Sequence, residues 1–121
     1  MRQIKFRAQD IASNKWLYGD LRYHKDDVCI FEQEGNKGEQ VKRDTIGQFV
    51  GLKDKNGKEI YEGDIIACEQ KQYVCEYVEG GFEFKDLSDG RLILKAIVIH
   101  SHIIGNIHDN PDLIYVPSNK E

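Results

Sequence analysis

Four acidic side chains fall within eleven residues: Asp54, Glu59, Glu62 and Asp64. A pair of them could act as general acid and base, or several could hold a hard cation through oxygen. Their spacing has a simpler explanation. Asp54 stands where a turn begins, Glu59 sits on the arm leaving that turn, and Asp64 follows Glu62-Gly63 as an acceptor for turn N–H groups. The DxDxDG order of a calcium loop is absent. His100, His102 and His108 form a second candidate set. On a strand His100 and His102 would share a face and could hold zinc with a third ligand, and Ser101 between them invites a nucleophile reading. Solvated histidines at a strand end are the commoner arrangement, and His24 stands alone. The reading is no catalytic group, no cofactor and no metal.

The glycines around the acidic set, Gly47, Gly51, Gly57 and Gly63, lack the GK[ST] that a phosphate loop needs. They read instead as turns and bulges, where a missing Cβ permits positive φ or close backbone approach. Cys29, Cys68 and Cys75 include no CxxC pair, which argues against a zinc ribbon or a disulfide framework and for buried thiols. A third set combines Trp16, Tyr18, Tyr23, Phe49 and Tyr61 with Arg22, Lys42, Arg43, Lys53, Lys55 and Lys58. It could stack and neutralise single-stranded nucleic acid. The alternative is that the aromatics fill a core or subunit contact and the lysines are solvated.

Charge bears on that choice. Residues 1–58 carry 12 Lys and Arg against 9 Asp and Glu, whereas residues 59–121 carry 5 against 12. The net charge of −4 gives no support to a general nucleic-acid binder, but halves of opposite sign suit contacts between subunits. At 121 residues the chain can bury a core without disulfide or metal. No run reaches the roughly 18 apolar residues of a membrane span, and MRQIKFRAQD lacks a secretory apolar stretch. A soluble, cytoplasmic protein is expected.

The elements that must position these residues are short. Ile4, Phe6 and Ala8 alternate with Lys5 and Arg7, predicting a half-buried strand. Trp16-Leu17-Tyr18 opens a second strand, broken at Gly19-Asp20, and Val28 to Phe31 is a third. Gly35-Asn36-Lys37-Gly38 reads as a mobile loop. Asp54-Lys55-Asn56-Gly57 is the strongest turn signal, because Asn-Gly tolerates the positive φ of tight hairpins. Glu62-Gly63-Asp64 turns again, and further strands follow at 65–68, 72–78, 82–87 and 103–107. Residues 91–100 (RLILKAIVIH) are the most apolar run, a buried strand or one helix. The β-branched Ile97-Val98-Ile99 favours strand. Asn110-Pro111 starts a closing turn or helical cap, and the tail 115–121 reads as disordered. The fold class is mainly β: an N-terminal β-hairpin or sheet part over 1–44, and a second part over 45–114 whose segment 63–107 forms a small SH3-like barrel.

Three ordered motifs then carry a family resemblance. Gly47 to Asp64 (GQFVGLKDKNGKEIYEGD) resembles the hallmark of the YopX family of phage and prophage proteins. Arg2 to Asp10 resembles the family's opening, with Gln9 where a tryptophan is usual. Ile104-Gly105-Asn106-Ile107 with Asn110-Pro111-Asp112-Leu113 resembles its closing motif, with His108 where an aromatic is common. The residues that match are Gly51, Asp54, Asn56, Gly57, Tyr61, Gly63, Asp64, Gly105 and Asn106, read as structural with a possible interaction surface. The resemblance implies an all-β protein with an SH3-like part, encoded by a phage or prophage and self-associating. The family has no established biochemical function, so the resemblance bears on origin and fold rather than on activity. The expected function is that of a non-enzymatic interaction protein acting as a homo-oligomer, with a phage or host protein partner. The alternative is a nucleic-acid-binding module that uses the basic N-terminal half.

Overall fold

The computed structural model describes residues 3–32 and 37–114. The expected loop at 35–38 falls partly, and the expected tail at 115–121 wholly, outside the described residues. The chain divides into two compact units, residues 1–51 and 52–121. The division lies seven residues beyond the expected 44/45 boundary, because residues 47–48 pair back onto the first strand.

The first unit contains β1 (Phe6–Gln9), β2 (Trp16–His24), β3 (Asp27–Phe31), β4 (Glu39–Gln40) and the start of β5 (Gly47–Lys53). All pairings are antiparallel, in the spatial order β4-β3-β2-β1-β5. Ala8, Val28, Ile30 and Val41 form its core, with Phe6, Leu17, Leu21 and Ile46 packed against them. These residues lie on one face because antiparallel partners share a face, as Ala8 does with Leu17 and Leu21 with Ile30.

Two expectations change here. Ile4 precedes β1 and is 55% exposed, whereas Arg7 on the supposedly wet face is buried. The reason is position: β1 is held between β2 and β5, and the Trp16 ring lies 4.7 Å from the Arg7 guanidinium. The second strand is not broken at Gly19-Asp20 but runs unbroken to His24. Gly19 is there because a Cβ would run into the carbonyl oxygen of Phe31 on the neighbouring strand.

The second unit contains β6 (Glu59–Tyr61), β7 (Asp64–Cys68), β8 (Lys71–Val78), β9 (Gly81–Asp86), the short helix α1 (Lys95–Val98) and β10 (His102–Asn106), followed by a 3-10 turn at Pro111–Ile114. The end of β5 turns through residues 54–57 into β6. Four strands form an antiparallel sheet in the order β10-β7-β8-β9. Ile65, Ile66, Tyr73, Val74, Cys75, Phe84 and Val98 are among its buried residues. The β8–β9 hairpin uses a two-residue loop in which Glu79 (φ 49°) and Gly80 (φ 86°) are both left-handed, the geometry that matches strand twist. The mainly β class stands, as two antiparallel sheets. The expected barrel closure is not among the described pairings, where β10 and β9 are the outer strands of their sheet.

Residues 91–100 also depart from expectation. Leu92 bridges Lys85 on β9, and Ile93 N–H donates to Phe84 O at 3.1 Å. The chain then leaves the sheet into α1, where only Val98 is buried. Local β propensity yields because this segment needs one buried contact, at Val98, which a single helical turn supplies.

Among the described residues no helix is long and apolar enough to cross a membrane.

Candidate interaction surface

The second half of the central motif and the closing motif meet around β10. Gly57 N–H donates to Asp54 O at 2.9 Å and Asp54 N–H to Lys58 O at 2.9 Å, with Gly57 at φ 82°. This is a three-residue hairpin loop ended by a left-handed glycine; Asn56 does not take positive φ. Asp54 Oδ1 accepts N–H bonds from Asn56 and Lys58, both 2.9 Å. Its Oδ2 accepts the N–H of Ile103, at 3.0 Å. Lys55 N–H adds a bond to Ser101 O at 2.8 Å. Burial alone would raise the Asp54 pKa, but these three N–H donors and the Lys58 charge outweigh it and hold the carboxyl below its ordinary value.

The second corner is built likewise. Gly63 sits at φ 93°, its N–H donating to Cys75 O at 2.8 Å and its carbonyl accepting from Ile107 at 2.9 Å. Asp64 Oδ2 accepts the N–H of Tyr61 at 2.8 Å. The Tyr61 hydroxyl donates to Glu59 Oε1 at 3.1 Å. Asp64 stands opposite Asn106 in the β7–β10 register. Asn106 Oδ1 accepts from His108 and Asp109 N–H groups at 2.9 Å, while Asn110 Oδ1 accepts from Asn106 N–H at 3.1 Å. Gly105 is required beneath it, since a Cβ would meet Asn110 Cγ at 2.7 Å. Of the nine motif residues, Asp54, Gly57, Tyr61, Gly63, Asp64, Gly105 and Asn106 thus brace one sheet. Gly51 and Asn56 are exposed, and a Cβ on Gly51 would touch nothing.

The groups that invited a catalytic reading are engaged or separated. Ser101 is fully buried and its hydroxyl donates to Val98 O at 2.6 Å. His100 is exposed at the end of the helical turn, with its N–H on Ile97 O, whereas His102 begins β10. They do not share a strand face. His108 lies in the loop that Asn106 caps, and His24 is exposed at the end of β2. Among the described residues no group of three His, Cys, Asp or Glu could hold a metal ion. Cys75 is buried, while Cys29 and Cys68 are half-buried thiols.

The aromatic and basic set splits. Phe49 and Tyr61 are core residues. Tyr23 is 63% exposed with the Arg43 guanidinium 5.6 Å from its ring centre, and Arg22 lies 4.3 Å above Phe31. Lys53, Lys55 and Lys58 belong to the hairpin of the second unit. The pairings of Arg7 with Trp16, Lys5 with Phe49 and Arg22 with Phe31 were not legible from spacing, because cross-strand register creates them. An open depression of about 360 Å³ beside them is lined by Lys5, Asp20, Arg22, Phe31 and Glu32, opposite charges in equal number.

The surface that sequence reasoning missed is the apolar run itself. Leu92 is 56%, Leu94 74%, Ile97 41% and Ile99 53% exposed. Four large aliphatics are thus open to solvent within eight residues, and exposed apolar surface marks contact sites where it is contiguous. The signal available was Lys95 in the middle of the run, which a strand buried on both faces would not hold.

Among curated proteins nothing matches this chain. It resembles a solved structure, the crystal structure of protein EF1440 from Enterococcus faecalis, with 26% identity and a TM-score of 0.66 over 95% of this chain and 100% of that one. The family model described as YopX protein matches residues 5–115. With nearly the whole chain matched, and the motif residues bracing its second sheet, the chain belongs to the YopX protein family.

Proposed function

We propose that this chain is a non-enzymatic interaction protein of phage or prophage origin that works in the cytoplasm of a bacterial host as a homo-oligomer. The observation that carries the reading is the exposure of Leu92, Leu94, Ile97 and Ile99 on the second unit. Leaving these side chains partly wet forgoes about 1–2 kcal/mol each that full burial would supply, which a subunit contact recovers. The commitment of Asp54, Asp64 and Ser101 to backbone hydrogen bonds supports a scaffold role for the motif rather than a reactive one. Light scattering on the purified chain at micromolar concentration tests this. A mass of two or more chains is expected, and a strict monomer overturns it.

A second reading, binding of single-stranded nucleic acid by the first unit, is favoured by the exposed Arg43–Tyr23 pair and by Arg22 over the half-buried Phe31. Oligonucleotide binding that weakens with salt would support it. No binding at low salt would end it.

A further inference from the structure

The exposed aliphatic run has a sign. Residues 91–100 contain Arg91, which lies 3.9 Å from Asp89, together with Lys95 and His100 and no acidic residue, in a half of the chain where acids outnumber bases 12 to 5. The tip of the β8–β9 hairpin has the opposite character. Glu79 and Glu83 accompany Tyr77 and Val78, which are 55% and 37% exposed, while Glu76 is paired with Lys85 at 3.3 Å. Tyr77 and Phe82 pack edge to face with centroids 5.2 Å apart on one side of the hairpin, so this tip is an apolar knob, with Glu83 on its other side.

The two surfaces are neighbours within one chain. Asp86 N–H donates to Arg91 O at 2.7 Å and Ile93 N–H to Phe84 O at 3.1 Å, so residues 91–93 run antiparallel to β9 toward the hairpin tip. Lys95, Glu79 and Glu83 nevertheless make no ion pair among the described residues. A basic apolar strip beside an acidic apolar knob complements a rotated copy of itself. That is the requirement of an isologous two-fold contact, in which each copy offers both halves.

We propose that the occupant of the 92–99 strip is the β8–β9 tip of a second copy of this chain. Tyr77 and Phe82 of one copy cover Leu92, Leu94, Ile97 and Ile99 of the other, and Glu79 faces Lys95 across the contact twice. The apolar area provides the affinity and the charges set the register. The inference rests on the self-association reading and specifies its surface.

Sedimentation velocity over a concentration series tests it with the full chain, circular dichroism confirming that each variant is folded. Lys95→Glu and Glu79→Lys, both on exposed side chains, each place like charges at two symmetric contacts and should weaken association about tenfold or more. The double variant K95E/E79K restores opposite signs and should recover wild-type association. Leu94→Ser should weaken association without any charge change. If the wild type associates but the charge reversals and Leu94→Ser leave it unchanged, the proposed contact is wrong while self-association stands. If both single variants weaken it and the double variant does not recover, the Glu79–Lys95 register is wrong. A wild-type monomer at every concentration removes the self-association reading itself.

Discussion

The carboxylate of Asp54 and the backbone N–H of Ile103 meet at 3.0 Å across 49 residues of chain. One side chain thereby closes a hairpin with Oδ1 and holds the outer strand β10 with Oδ2. β10 is an outer strand of its sheet, and a side-chain carboxylate on one of its N–H groups occupies a donor that another chain could otherwise pair with.

Replacing Asp54 should therefore destabilise the second unit more than an ordinary turn mutation. Asp54→Ala leaves three N–H donors without their acceptor and is expected to cost about 3 kcal/mol. Asp54→Asn keeps one oxygen for the turn and loses an acceptor for the other set, so its cost should be smaller. Urea unfolding of the three proteins gives the order, and equal midpoints would refute the role assigned to this carboxylate.

Acid sensitivity follows from the same group. The folded pKa of Asp54 is lowered from the ordinary aspartate value, as is that of Asp86, chiefly through the Ser88 hydroxyl and N–H. A lowered folded pKa means that the unfolded chain binds protons first. The stabilisation is complete above the unfolded value and is lost as pH falls through 3.8 toward the lower folded value. Denaturation midpoints should stay level near neutrality and drop below about pH 4, with a shallower drop in Asp54→Ala. An identical acid slope in that variant would count against Asp54.

Gly105 and Asn110 should behave as a coupled pair. Gly105→Ala pushes the Asn110 carboxamide off the Asn106 N–H and should cost about 1–2 kcal/mol. In Asn110→Ala the obstacle is gone, so the added methyl should cost less. A double-mutant cycle reads the coupling, and additive effects would show that the two do not share a contact.

In the first unit, Gly19→Ala drives a Cβ into backbone atoms of Phe31 and Glu32, which cannot rotate away. A loss of about 3 kcal/mol or more is expected, with weakened amide protection along β2 and β3 measured by hydrogen exchange. Protection equal to wild type would show that the strands adjust more readily than this packing implies.

Much of this molecule is local and so was readable in order. The turn at Asp54–Gly57 depends on four adjacent residues and the corner at Gly63 on one left-handed φ, and both stand where their residue types place them. The strands at 27–31, 71–78 and 102–106 likewise follow short runs of apolar or alternating residues. The turn at Glu69-Gln70, left-handed without glycine, carries no such signature.

The acidic, aromatic and glycine residues between Gly47 and Asp64 were enough by themselves to determine the hairpin, its second corner and the family, because turn chemistry acts within a few bonds. What those residues grip was decided only by the tertiary structure. Asp54 reaches Ile103, Gly63 reaches Cys75 and Ile107, and Asn106 comes opposite Asp64, all through register between distant strands. The same holds for exposure. Residues 91–100 are the most apolar run of the chain, yet the fold needs only Val98 there and leaves Leu92, Leu94, Ile97 and Ile99 on the surface. Hydrophobicity is a property of the residue, whereas burial depends on whether a neighbouring element is there to cover it.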